Sequence, residues 1–155
     1  MKKFIKLLLI ILCMMSIFMF SSDSGDKSTG KSDSIILHGI KFFTGRELND
    51  KEKQIYIDKF VMPVRKSAHF LIYFILGVLV ISYCKEFNFN YKIIFISIII
   101  CFLYSISDEV HQLFVPGRSG QILDVFIDTI GSSLGSICYY ICYNKYIKYK
   151  EKKYE

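Results

Sequence analysis

Charge is missing from four long stretches of this chain. Residues 7–22, 67–84, 93–107 and 129–144 contain no Asp, Glu, Lys or Arg. Each approaches the roughly 20 residues that cross a bilayer core once its less polar flanks are added. With 52% hydrophobic and 16% aromatic residues, the chain is too apolar for an ordinary soluble domain and reads as an integral membrane protein. A CxxC pair is also absent, and the five cysteines, Cys13, Cys84, Cys101, Cys138 and Cys142, make an odd set. That argues against a disulfide framework and against a zinc site. Cys138 and Cys142 are expected to pack as small hydrophobes. The small-residue pattern that ends a secretory leader is missing too, since Met19-Phe20-Ser21-Ser22 does not fit A-x-A. The first segment therefore reads as a retained anchor, with a cleaved leader as the rival.

The expected fold is an all-α membrane protein, a bundle of four transmembrane helices at about 4–20, 68–84, 91–114 and 122–143. The domain reading is an N-terminal anchor (1–20), an extracytoplasmic loop (21–66), a three-helix membrane core (67–143) and a cytoplasmic basic tail (144–155). Within the loop, residues 21–34 are rich in Ser, Gly, Asp and Lys and read as a flexible linker. Residues 35–43 are apolar with a break at Gly39. Asn49-Asp50-Lys51-Glu52 has the form of a capping box, so a short surface helix is expected from 50 to 62, stopped by Pro63.

Orientation follows from lysines beside the spans. Lys2, Lys3 and Lys6 precede the first, Lys85 and Lys92 lie between the second and third, and Lys145, Lys148, Lys150, Lys152 and Lys153 follow the fourth. Short cytoplasmic segments are rich in Lys and Arg, which gives N-in, C-in. The loop 21–66 carries nine basic and seven acidic residues, and long loops weigh little in this rule. The net charge of +6 resides in tails and loops, so no nucleic-acid partner is needed to explain it.

Where charge does enter the apolar regions it is concentrated. Ser107-Asp108-Glu109-Val110-His111-Gln112-Leu113-Phe114-Val115-Pro116-Gly117-Arg118 closes the third span. An Asp near a helix centre costs roughly 3 kcal/mol on insertion scales, so such groups turn inward, pair, or serve a function. At about 100° per residue, Tyr104, Ser105, Asp108, His111 and Gln112 share one side, with Glu109 at its margin. Gln121, Asp124, Asp128, Gly131 and Gly135 form one stripe on the fourth span. The Gly131-x-x-x-Gly135 spacing permits close approach of another helix. His69 and Tyr73 share a face of the second span, with Lys66 one turn earlier. Asp108 and Asp128 each lie roughly 9 Å below the turn joining their helices. Pro116-Gly117 makes a tight turn that aims Arg118, a planar ligand for carboxylate or phosphate, over the same region.

Arg65-Lys66-Ser67-Ala68-His69-Phe70-Leu71-Ile72-Tyr73-Phe74-Ile75-Leu76-Gly77, then residues 107–118, then Asp124-Val125-Phe126-Ile127-Asp128-Thr129-Ile130-Gly131 together resemble the VanZ-like family, over about residues 20–143. The resemblance implies a small multi-pass bacterial membrane protein and, through the family's founding member, an association with resistance to the glycopeptide teicoplanin. Ile72 departs from the pattern, because many relatives carry an acidic residue between the His and the Tyr. That implies a less acidic pocket or a different ligand.

The candidate pocket is Lys66, His69, Tyr73, Asp108, Glu109, His111, Gln112, Arg118, Asp124 and Asp128, facing outward from the cell. Its expected partners are membrane lipids and a peptidoglycan precursor, lipid-linked envelope intermediate or glycopeptide. The same charges would also serve as a structural ion-pair cluster, and both readings stay open here. No cofactor and no metal are expected. His69, Asp108, Glu109, His111, Asp124 and Asp128 are ligand types, but Asp108-Glu109-x-His111 lacks the i, i+4 histidine pair of helical zinc proteases. A membrane hydrolase or transferase using a carboxylate as general base is the first alternative, with no serine placed as a nucleophile. A helper subunit of an envelope complex, docking through Gly131 and Gly135, is the second.

Overall fold

The computed structural model describes residues 1–87 and 90–154, with side chains described for all of these except 25–29, 31, 148 and 154. Five α-helices account for most of it: α1 (Lys2–Ser22), α2 (Gly25–Thr44), α3 (Asp50–Cys84), α4 (Lys92–Gln112) and α5 (Ile122–Tyr154), with a 3-10 turn at Lys85–Phe87. Four segments are long and apolar enough to cross a membrane: Lys2–Ser22, Asp50–Phe87, Lys92–Gln112 and Ile122–Lys153. Leu8, Phe18, Phe95, Leu103, Phe126 and Ile130 are among many large apolar side chains left exposed on these helices. A water-soluble monomer rarely shows such continuous apolar surface, whereas lipid accepts it. The structure is thus the expected all-α, membrane-type bundle.

In lipid the hydrophobic effect no longer drives helices together, so packing and hydrogen bonds must. The closest packing joins α3 to α5. A methyl group on Gly77 would run into the Ser132 carbonyl, one on Gly131 into the Phe70 carbonyl, and one on Gly135 into the Phe74 carbonyl. The i, i+4 pair on α5 therefore meets an i, i+4 pair on α3, backbone against backbone. Serines stitch α4 into the same place: Ser136 Oγ donates to Gly77 O (3.2 Å) and shares a 2.9 Å hydrogen bond with Ser97 Oγ. The Gly131–Gly135 face is covered by α3, so the expectation that it docks a partner subunit does not hold.

α1 lies against α3 and α4 through a stripe of Ile10, Ile17 and Ser21. Tyr104 Oη donates to Met14 O (2.6 Å), and Lys6 forms a 2.5 Å ion pair with Glu86. Lys6, which interrupts the first apolar run, is thereby matched at the bundle's far end.

Several boundaries differ from expectation. The capping box forms: Asn49 Oδ1 accepts from Glu52 N (2.9 Å), and Asn49 N donates to Glu52 Oε2 (3.1 Å). However, the helix it starts runs through Pro63 as the 35-residue α3. Proline removes one backbone donor, and a membrane-type helix tolerates that where its neighbours restore the packing. Residues 25–44, expected as a linker followed by an apolar segment broken at Gly39, form one helix. Ser32 and Ile36 on one face are buried, which supplies tertiary support that composition does not reveal. α2 ends at Gly45, whose φ of 67° is left-handed and whose N–H reaches Lys41 O. α5 continues through the basic tail to Tyr154, of which the Lys148 side chain lies outside the described residues. Cys138 and Cys142 face outward and do not pack against another helix; all five cysteines are free.

Gly135→Val should force α3 and α5 apart and lower stability by about 1–3 kcal/mol, as overpacking does. Thermal unfolding in detergent would read this as a lowered midpoint, with Gly39→Ala, which has open space around it, close to wild type.

Candidate functional site

The polar end of the bundle is assembled by α3, α4 and α5, with α1 and the segment 113–121 closing it. Asp128 on α5 is 0% exposed, Asp108 on α4 is 3% and Glu109 is 6%. Three acids at this depth need partners, and the structure gives each a different set. One donor atom from each of His69, Asp108 and Asp128 lies within 4.8 Å of the others. His69 Nδ1 is 3.8 Å from Asp128 Oδ1, too far for a hydrogen bond but close enough for an ion pair. Ser21 Oγ of α1 donates to Asp108 Oδ2 (2.9 Å), with Gln112 Nε2 at 3.4 Å from the same oxygen. Ser105 Oγ lies 3.5 Å from Asp128 Oδ2. Four buried atoms here have no hydrogen-bond partner: His69 Nδ1, Tyr73 Oη, Asp108 Oδ1 and Asp128 Oδ1.

Glu109 is satisfied differently. Gln112 Nε2 donates to Oε1 (2.8 Å), and the backbone N–H of Gln121 donates to Oε2 (2.8 Å). This anchors the start of α5 to the end of α4. Lys66 of α3 pairs with Asp124 of α5 at 2.6 Å, both only partly exposed. Glu109 and Asp124 are thus both paired within the fold.

Arg118 is placed by the turn Val115–Arg118. Its N–H returns to Val115 O (3.1 Å), and Gly117 takes a φ of 74°, open to glycine at no steric penalty. The guanidinium donates to Gln112 Oε1 (3.2 Å), Asp23 O (3.0 Å) and Phe20 O (2.7 Å). It thus caps the C-terminal carbonyls of α1, where a cation is favoured. Partial burial pulls the Arg118 pKa down and nearby Arg65 adds to this, while Asp108, Asp23 and Glu109 oppose it. A guanidinium stays charged through such shifts.

Two cavities open at this end. One, of about 160 Å³, is polar and lined by Arg65, Lys66, His69, Arg118, Asp124 and Asp128 among others. The other, of about 270 Å³, lies between α1, α2 and α3 and is walled mainly by Ile17, Phe20, Ile35, Val64, Ala68 and Ile72. Arg65, His69 and Arg118 line both. Arg65 has no hydrogen bond or ion pair among the described residues, so its charge is available to the cavities.

A family model described as VanZ/LLP1 matches residues 6–143. The chain belongs to this family. Comparison with curated proteins and with solved structures gives no match.

Of the ten residues singled out in this VanZ/LLP1 member, Lys66, His69, Gln112, Arg118, Asp124 and Asp128 line the polar cavity, and Tyr73, Asp108 and Glu109 sit buried around it. His111 sits apart. It stacks on Phe18 with centroids 4.3 Å apart, and its Nε2 lies 3.0 Å from Ser22 Oγ, lining neither cavity. Sequence reasoning missed Ser21 and Ser105 as partners of the acids and Ala68 as part of an apolar wall. Ser105 carried a signal, since it lies three residues before Asp108 on the polar face. Ser21 carried none, because nothing in helical periodicity says which helix packs opposite.

A double-mutant cycle of Lys66→Ala and Asp124→Ala should give a coupling energy of roughly 0.5–3 kcal/mol in thermal or denaturant unfolding. Additivity would show that the pair holds α3 and α5 together no better than two unrelated residues.

Proposed function

We propose that this VanZ/LLP1 member is a bacterial cell-envelope protein that binds an amphiphile with an anionic head, an envelope lipid or a lipid-linked peptidoglycan precursor. The observation that carries this reading is the shared wall: the cationic residues Arg65 and Arg118 stand between a polar and an apolar cavity. A phosphate or carboxylate would meet the Arg65 guanidinium, whose planar fork bonds two oxygens at once, with the positive charge of Arg118, itself bonded to Gln112 and the α1 carbonyls, beside it. The attached hydrocarbon would lie against Ile17, Ala68 and Ile72, where burial is favoured at roughly 25 cal/mol per Å². A role in glycopeptide resistance, as the family's founding member implies, would follow from sequestering or shielding such a precursor.

Mass spectrometry of lipids co-purifying with the protein tests this. Arg65→Ala, which removes a group with no partner among the described residues, should lower the retained amphiphile roughly tenfold, the equivalent of about 1.4 kcal/mol. Ala68→Trp should do the same by filling the apolar cavity. Equal retention by wild type and both variants overturns the reading. In cells, the same variants should change susceptibility to teicoplanin at unchanged membrane abundance.

The lysine distribution supports N-in, C-in, with the two cavities opening outward. In a cysteine-free background, Ser119→Cys should then react with a membrane-impermeant maleimide on intact cells. Labelling only after lysis reverses the topology.

A second reading, a membrane hydrolase or transferase on a lipid-linked substrate, draws on the buried His69, Asp108 and Asp128, whose unpartnered atoms suit proton transfer. Turnover of a labelled lipid-linked precursor by purified protein would replace binding with catalysis.

A further inference from the structure

His69, Asp108 and Asp128 come from three different helices, yet one ligand atom of each lies within 4.8 Å of the others, and each carries one atom without a hydrogen-bond partner. These atoms are His69 Nδ1, Asp108 Oδ1 and Asp128 Oδ1. The sequence pointed to no metal, because the three are dispersed along it and no helical ligand pair announces them. The folded arrangement reads differently. We propose that these three side chains bind one divalent transition cation of the Mn²⁺ or Zn²⁺ class.

The donor set supports that class. One imidazole nitrogen with two carboxylate oxygens suits a borderline divalent ion better than a thiolate-seeking one. One ligand atom from each lies within 4.8 Å of the others, so a contraction on the order of 1 Å brings the three around an ion held at about 2.0–2.2 Å.

The surrounding bonds fit as well. In each acid the second oxygen faces a serine hydroxyl, Asp108 Oδ2 bonded by Ser21 (2.9 Å) and Asp128 Oδ2 with Ser105 Oγ 3.5 Å away. This is how supporting residues orient carboxylates that ligate through the other oxygen. Tyr73 Oη is buried and unpartnered in the same neighbourhood, available to a metal-bound water.

Charge points the same way. Two carboxylates at 3% and 0% exposure face one imidazole. Lys66 is engaged by Asp124, and Arg118 by Gln112 and the α1 carbonyls. Within the cluster a protonated His69 would balance only one of the two acids, Arg65 standing at the cavity wall outside it, whereas a divalent ion balances both. His69 and Asp128 also line the polar cavity, which gives the ion a route in and leaves coordination positions for water or an anion.

This inference does not rest on the amphiphile reading, and its test uses metal alone. Full-length protein, purified in detergent, delipidated and stripped with chelator, is titrated with Mn²⁺, and free Mn²⁺ is followed by electron paramagnetic resonance. One saturable Mn²⁺ per chain is expected, competed by Zn²⁺, with a raised thermal midpoint. Asp108→Asn and Asp128→Asn should each weaken uptake roughly 10- to 100-fold or more. His38→Ala, which removes an exposed histidine outside the cluster, should bind like wild type. If an aspartate variant fails to accumulate, Asp108→Glu and the wild-type titration decide. No saturable uptake by folded wild type overturns the proposal, as does uptake unchanged in His69→Ala and Asp108→Asn together. Metal binding without lipid retention, or the reverse, separates this proposal from the functional one.

Discussion

The contact of α3 with α5 through Gly77, Gly131 and Gly135 holds the rest of the structure in place. Backbones that touch leave little slack for the side chains one or two turns away. Asp128 lies one turn from Gly131 on α5, and His69 and Tyr73 flank Phe70 and Phe74 on α3. Lipid offers no hydrophobic reward for association, so this close fit, the Ser97–Ser136–Gly77 hydrogen bonds and the Lys66–Asp124 pair bear most of the burden. Any larger residue at these glycines would push α3 and α5 apart.

The second determinant is Arg118. A tight turn built on Pro116 and Gly117 returns its guanidinium over the site, where it caps α1 and holds Gln112. Gln112 in turn holds Glu109, and Glu109 holds the first turn of α5. A chain of charge-assisted bonds thus runs from α1 to α5 around the rim. Helix α1 is part of that chain through the carbonyls of Phe20 and Asp23 at its end, and its Ser21 bonds Asp108 beside it.

Much of this was legible in the sequence, for physical reasons that can be named. Charge-free runs reported the spans because the bilayer penalises charge so strongly. Counting 100° per residue placed Asp124 and Asp128 on the stripe of Gly131 and Gly135, since rotation along one helix is fixed. What failed required knowledge of other helices. His111 shared a side with Asp108 by that count, but three residues leave the two about 60° apart, enough for His111 to meet Phe18 of α1 instead. The Ser/Gly-rich composition of α2 suggested a linker, and only packing of Ile36 shows why it is helical. Proline marks a helix stop in a bare sequence, whereas Pro63 lies inside α3 despite the lost donor and the crowding of the turn before it. The meeting of His69, Asp108 and Asp128 in one space depends on the relative height of three helices, which no periodicity encodes.

The two cavities share Arg65, His69 and Arg118 but otherwise have separate linings. That division sets how the protein can diversify. Changes at Ile17, Ala68 or Ile72 reshape the apolar compartment alone, and changes at Gln121 or Asp124 reshape the polar one alone. Changes at the three common residues disturb both at once.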